Sequence, residues 1–175
     1  MVEKGEFESG SGSTSDTDIR ADYIKFLKDN LDIKPGLRVA ADYGNGMTGI
    51  IGPEVCREFG CELTELYENP DGTFPNHHPD PTVEENLAEL IDTVKDNNLE
   101  VGLGFDGDGD RIGVIDEKGD IIWGDMLVLI FARDILTREK GSKFIGDVKC
   151  STKLFRGIEY AGGEAIMWKT GHSLI

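Results

Sequence analysis

The chain has 175 residues, 38% of them hydrophobic, enough to bury one full core and part of a second. Its 34 acidic residues against 18 basic ones give a formal charge of −16, which argues against nucleic acid or an anionic membrane as a partner. No apolar run approaches a membrane span and no apolar signal segment opens the chain, so cytoplasm is the expected compartment. The three cysteines, Cys56, Cys61 and Cys150, lack metal-ligand spacing and read as small buried side chains in a reducing environment.

In chain order, Glu8 to Ser15 is a Gly/Ser-rich connector. Native chains seldom begin with a linker, so a preceding segment is expected. Asp16, Thr17 or Asp18 can cap a helix carrying Ile19, Tyr23, Ile24, Leu27 and Leu31 at helical spacing, and Pro35-Gly36 is expected to end it. Leu37 to Ala41 reads as a buried strand, and Asp42-Tyr43-Gly44-Asn45-Gly46 as a sharp turn into a helix with Ile50, Ile51, Val55 and Phe59. A strand over Cys61–Leu66 leads to a long loop from Asn69 to Pro81 with four prolines, the kind of loop that is often functional. His77 and His78 on that loop point to opposite sides, which favours loop-fixing hydrogen bonds over a shared metal. Leu87, Leu90, Ile91 and Val94 mark a helix, Val101–Phe105 a strand, and Ile112–Ile115 with Ile121–Trp123 a hairpin. The pattern then restarts: a very apolar helix over Met126–Leu136, a strand Phe144–Gly146 ending in Asp147 as an earlier strand ended in Asp42, a helix with Leu154 and Ile158, and a strand Ala165–Trp168. The class is α/β, a mixed and largely parallel sheet with flanking helices, followed by an incomplete second copy of a similar unit whose apolar residues, Met126 to Phe131, are expected to stay partly exposed.

The densest chemistry lies in Gly104-Phe105-Asp106-Gly107-Asp108-Gly109-Asp110-Arg111. Three carboxylates within five residues repel one another unless a cation sits among them, and the glycines let the backbone fold tightly enough for them to converge. Oxygen-only ligands suit a hard cation, Mg²⁺ or Ca²⁺. Arg111 can grip an anion that also reaches the metal, and phosphate is the natural candidate. A solvated turn is the bland reading. An EF-hand loop is excluded, because Arg111 occupies the position that needs glycine and the flanks read as strands. Lys149 follows Asp147 at the C-terminal end of a strand, where α/β proteins place ligand contacts. His172 follows Thr170-Gly171 at an expected helix start and can bind phosphate or shuttle a proton.

With the acidic loop, Phe74 to Pro81 followed by Glu85-Asn86-Leu87, and Trp168-Lys169-Thr170-Gly171-His172-Ser173, the chain resembles the α-D-phosphohexomutases, in their phosphomannomutase/phosphoglucomutase branch. That resemblance implies a four-domain enzyme that interconverts hexose 1-phosphate and hexose 6-phosphate through a phosphoserine and a bisphosphorylated sugar. It implies that residues 1–18 are an interdomain linker, 19–125 the second, metal-binding domain and 126–175 the start of the third. Asp106, Asp108 and Asp110 match the family's Mg²⁺ ligands, Arg111 the residue beside the phosphoserine, and Lys149 and His172 substrate contacts. The phosphoserine sequence, of the T-A-S-H-N-P kind, does not occur here, so these residues alone are expected to be inactive. A phosphoglucosamine mutase shares the acidic loop, and Asn76-His77-His78-Pro79 argues for the first branch. A stand-alone metal-binding module is the reading from another class, and the linker-like start and unfinished second unit argue against it.

Overall fold

The computed structural model describes residues 5, 7, 10–171 and 173–175, and divides into two units, Met1–Ile33 and Lys34–Ile175. The first unit holds one helix, α1 (Arg20–Asn30). Asp18 accepts the Arg20 N–H at 3.0 Å, but it lies one residue before the N-cap, Ile19, which makes no side-chain cap. The helix ends five residues ahead of Pro35: Asn30 Nδ2 donates to the Phe26 carbonyl at 2.8 Å and Leu31 is already extended. Proline is therefore not the stop signal. Of the apolar stripe expected on this helix only Ile24 is buried.

The second unit builds a five-stranded sheet in the order β2-β1-β3-β4-β5 from β1 (Arg38–Asp42), β2 (Glu62–Leu66), β3 (Val101–Phe105), β4 (Ile112–Asp116) and β5 (Ile121–Ile122). β2, β1 and β3 run parallel, and β3-β4-β5 antiparallel. Ala40 on β1 and Ile115 on β4 meet Leu87, Leu90 and Val94 of α3 (Ala88–Asp96) and the turn before it in a closed apolar core. Each buried leucine there contributes roughly 1.5–3 kcal/mol. The helix after β1 is shorter than its apolar pattern suggests: a 3-10 turn, Met47–Ile50, precedes α2 (Gly52–Glu58), whose C-terminus closes at Gly60 with φ +74. The Gly60 N–H donates to Arg57 and the Cys61 N–H to Cys56, a Schellman closure that sets Cys56 and Cys61 side by side. All three cysteines are free and half-buried rather than fully buried.

Trp123 leaves the hairpin to cap α4 (Gly124–Arg138). β6 (Lys143–Asp147), α5 (Thr152–Tyr160) and β7 (Glu164–Trp168) follow, with β6 and β7 paired parallel in a sheet of two. Leu129, Ala132, Leu154 and Ile158 form a second core where α4 meets α5. Of the residues expected to stay partly exposed, Met126 and Leu127 are half-buried and Ile130 and Phe131 exposed, but Leu129 is buried in this core; Ile145, Met167 and Trp168 are exposed as well. Among the described residues, no helix is long and apolar enough to cross a membrane.

Candidate metal and phosphate site

The parallel strands β1 and β3 end side by side, with Asp42 in register with Gly104. The chain leaving β3 turns at once, and Asp106 is buried at the base of that turn. Its Oδ1 accepts the Gly109 and Arg111 N–H groups, each at 3.0 Å, and its Oδ2 accepts Arg111 Nε at 2.7 Å. Gly109 has φ +80, and a Cβ there would strike the Thr48 hydroxyl, so this turn requires glycine. The turn is also braced from behind. The Met47 N–H donates to the Gly107 carbonyl at 2.9 Å, and Tyr43 stacks on Phe105 with ring centroids 5.7 Å apart.

Asp106, Asp108 and Asp110 each present an oxygen within 4.8 Å of the others, Asp106 buried and the other two exposed. Their acidities differ with their surroundings. Burial pushes Asp106 up, but hydrogen bonds from Arg111 outweigh it and hold the carboxyl below the usual range. Asp110 is pushed up by the hydrogen bond it shares with Asp106 and by the charge of Asp108. Such a set accepts a hard cation readily, because the cation removes this mutual repulsion. Strands flank the loop, not the helices of an EF-hand.

Arg111 donates from Nη1 to Asp80 at 3.1 Å as well as to Asp106, so two carboxylates hold the guanidinium while half of the side chain stays open to solvent. A cleft of about 220 Å³ includes Arg111, Pro81, Thr82 and Trp123. A second, of about 910 Å³, includes Asp147, Lys149 and Ser151, and shares Thr82, Trp123 and Gly124 with the first. The structure thus sets Arg111 and Lys149 on two clefts that share a wall. The Lys149 N–H donates to Asp147 Oδ1 at 2.7 Å, and its ammonium is exposed, 3.9 Å from the same carboxylate. His172 lies outside the described residues; two positions earlier, Thr170 Oγ1 donates to Asp147 Oδ2 at 2.9 Å.

His77 bonds through Nε2 to Asp42 Oδ2 at 2.9 Å and through Nδ1 to the His78 carbonyl at 3.0 Å, which is the loop-fixing role expected of it. Sequence reasoning missed Asp42, Asp80 and Trp123 as neighbours of the site. Asp42 carried a signal, a charge closing an apolar strand. Asp80 sits between two prolines that pin its backbone. For Trp123 nothing in the hairpin pattern marked a cleft wall.

Two family models match the chain. Phosphoglucomutase/phosphomannomutase alpha/beta/alpha domain II covers residues 21–119, and domain III of the same family covers residues 123–175. The chain belongs to the phosphoglucomutase/phosphomannomutase family. It is 46% identical over 174 residues to the phosphomannomutase/phosphoglucomutase of Pseudomonas aeruginosa, covering 99% of this chain and 38% of that protein. It is 42% identical over 177 residues to the phosphoglucomutase of Neisseria meningitidis, covering 100% of this chain and 38% of that protein. A crystal structure of a phosphoglucomutase/phosphomannomutase family protein from Burkholderia thailandensis superposes with a TM-score of 0.92 at 42% identity, over 99% of this chain and 38% of that one. The chain therefore spans about 38% of the length of the family members it matches.

Proposed function

We propose that this chain is the metal-bearing part of a phosphohexomutase acting on mannose and glucose phosphates, moving phosphate between O1 and O6 through a phosphoserine and a bisphosphorylated sugar. One observation carries the reading: in a member of this family, three carboxylates converge at the mouth of a parallel sheet with an arginine fixed beside them. Asp106, Asp108 and Asp110 would hold Mg²⁺. The donor set fits: oxygens around one Mg²⁺ lie up to about 4.2 Å apart, a small step from the present spread through rotation of the exposed Asp108 and Asp110. Bound Mg²⁺ supplies charge that neutralises a phosphoryl group in transfer.

Arg111 grips a phosphate oxygen beside that charge, and its fork is already aimed by Asp80 and Asp106, so little orientational freedom remains to be lost on binding. Lys149 holds the sugar phosphate from the second cleft, and His172 is assigned a contact to the same ligand. The relatives at 42–46% identity bear phosphomannomutase or phosphoglucomutase names, which supports this branch over a phosphoglucosamine mutase. Residues 1–18, 19–125 and 126–175 are assigned on this reading to a linker, the metal domain and the start of the next domain. Calorimetric titration with Mg²⁺ tests the assignment. Wild type is expected to bind weakly, with waters filling the remaining positions, and Asp108→Ala to bind at least about tenfold more weakly. Equal binding by both overturns it.

A further inference from the structure

We propose that Asp42 and His77 act together as a positioning pair for Arg111, an inference that rests on the reading of Arg111 as a phosphate contact. A free arginine side chain samples many rotamers and loses about 2 kcal/mol of that freedom when fixed. Arg111 is fixed by two carboxylates of different origin. Asp106 belongs to the same turn and moves with it. Asp80 lies on another loop, so its placement decides where the fork points relative to the sheet.

A continuous set of bonds ties Asp80 back to β1. The Asp80 N–H donates to the His78 carbonyl at 2.8 Å, and His77 Nδ1 bonds the same oxygen at 3.0 Å. At its other end the imidazole meets Asp42 Oδ2 at 2.9 Å, while Asp42 Oδ1 accepts the Gly44 N–H at 2.8 Å. Nδ1 must carry a proton to bond a carbonyl, so one further proton lies between Nε2 and Oδ2. Bonded at both nitrogens, the ring is held in one orientation.

Two features set this arrangement apart from a simple loop anchor. Asp42 is buried, and a buried carboxyl is an expensive way to hold a loop when a neutral side chain would serve. The gap bounded by Asp42, His77, Asp80 and Phe105 has no room for a water while the imidazole is in place, so the ring itself bridges Asp42 and the His78 carbonyl. Loss of His77 removes that bridge and leaves Asp80 to its local bonds from Thr82 and Asn86.

The test is water exchange at the Arg111 Nη1–H, the group that bonds Asp80, read by NMR on the ¹⁵N-labelled chain. Loss of a hydrogen bond to a charged group is worth about 1.5–3 kcal/mol, so His77→Ala is expected to speed that exchange roughly 10–100-fold. Asp42→Ala should do the same, the double variant no more than either alone, and His77→Gln, which can still donate to Asp42, should restore most of the protection. Coupling is reciprocal, so Arg111→Ala, a change at a half-exposed side chain outside the apolar core, must loosen the His77 ring N–H by a similar factor. That arm stands even if His77→Ala fails to fold. Unchanged Arg111 exchange in a folded His77→Ala, or an unchanged His77 ring in Arg111→Ala, overturns the proposal and leaves the pair as a loop anchor only. None of these readouts uses Mg²⁺ or turnover. A chain that shows the coupling but binds no Mg²⁺ overturns the function reading alone, and the converse overturns the pair alone.

Discussion

The ends of β1 and β6 use one device in two settings. Each strand closes on an aspartate whose Oδ1 accepts the N–H two residues on, from Gly44 at 2.8 Å and from Lys149 at 2.7 Å. Each Oδ2 takes a side chain from a later loop, His77 in the first case and Thr170 in the second. The settings differ because the first sheet has five strands and a closed core while the second has two. Asp42 is buried and Asp147 only half-buried. The same local turn therefore becomes a buried link in one place and a half-exposed hydrogen bond in the other. What the turn motif can do is set by the layers around it, not by the motif.

The largest effect that can break this comparison is in the cores. Leu90 and Leu154 are equally buried. Leu90→Ala is expected to cost about 2–5 kcal/mol of global stability, read from the urea midpoint. Leu154→Ala should instead act locally, speeding hydrogen exchange over residues 143–168 while β1 and β3 keep their protection. If Leu154→Ala lowered protection of β1 and β3 as much as Leu90→Ala, the two halves would be one cooperative unit and the contrast would fail.

A smaller effect separates the two turns. Gly44 has φ +51, and a Cβ there would lie 2.9 Å from the Pro79 side chain. Gly44→Ala should cost about 1–3 kcal/mol and lower the melting temperature. At the matching position of the second turn the chain carries Lys149. A neutral Gly44→Ala would show that Pro79 can retreat and that the first turn is as open as the second.

The carboxyl groups should titrate on opposite sides of their ordinary value, 3.8. Burial raises Asp42 despite His77 and the Gly44 N–H, so its contribution to stability is full below 3.8 and is lost as pH rises through the folded midpoint. The Thr170 hydroxyl and the Lys149 N–H lower Asp147, so its contribution is present above 3.8 and is lost as pH falls through the folded midpoint. Carboxyl-carbon shifts followed against pH give both midpoints directly. Midpoints on the same side of 3.8 would show that burial does not separate the two sites.

These contrasts explain what was legible in the sequence. Apolar segments located the seven strands of the described residues and the α/β class, because β1, β4 and the helix α3 bury their faces on one core. The acidic loop was legible because its spacing is local: Asp106 bonds residues three and five ahead of it. The partners of Arg111 and His77 were not, because Asp80 and Asp42 come from 31 and 35 residues away and only the fold brings them near. The end of α1 was misread for a related reason. A side chain, Asn30, and an extended Leu31 close it before proline is reached, and nothing in an apolar repeat reports that.

The smallest expected effect belongs to Lys149. Its ammonium is exposed and 3.9 Å from Asp147, the kind of surface pair worth little. Lys149→Ala should therefore shift stability by no more than about 0.5 kcal/mol. The backbone N–H that bonds Asp147 Oδ1 survives the change, and so does the Thr170 hydroxyl on Oδ2. The Asp147 midpoint should consequently stay below 3.8 in the variant, since the Thr170 hydrogen bond is its largest cause and the lysine charge a minor one. A midpoint that returned to 3.8 would show that the ammonium, not the turn, holds Asp147 ionised. Lys149 would then have a structural role in the second turn that Gly44 has no means of playing in the first. A midpoint that stays low leaves the lysine free for a ligand, with its stem anchored by the backbone and its charge uncommitted.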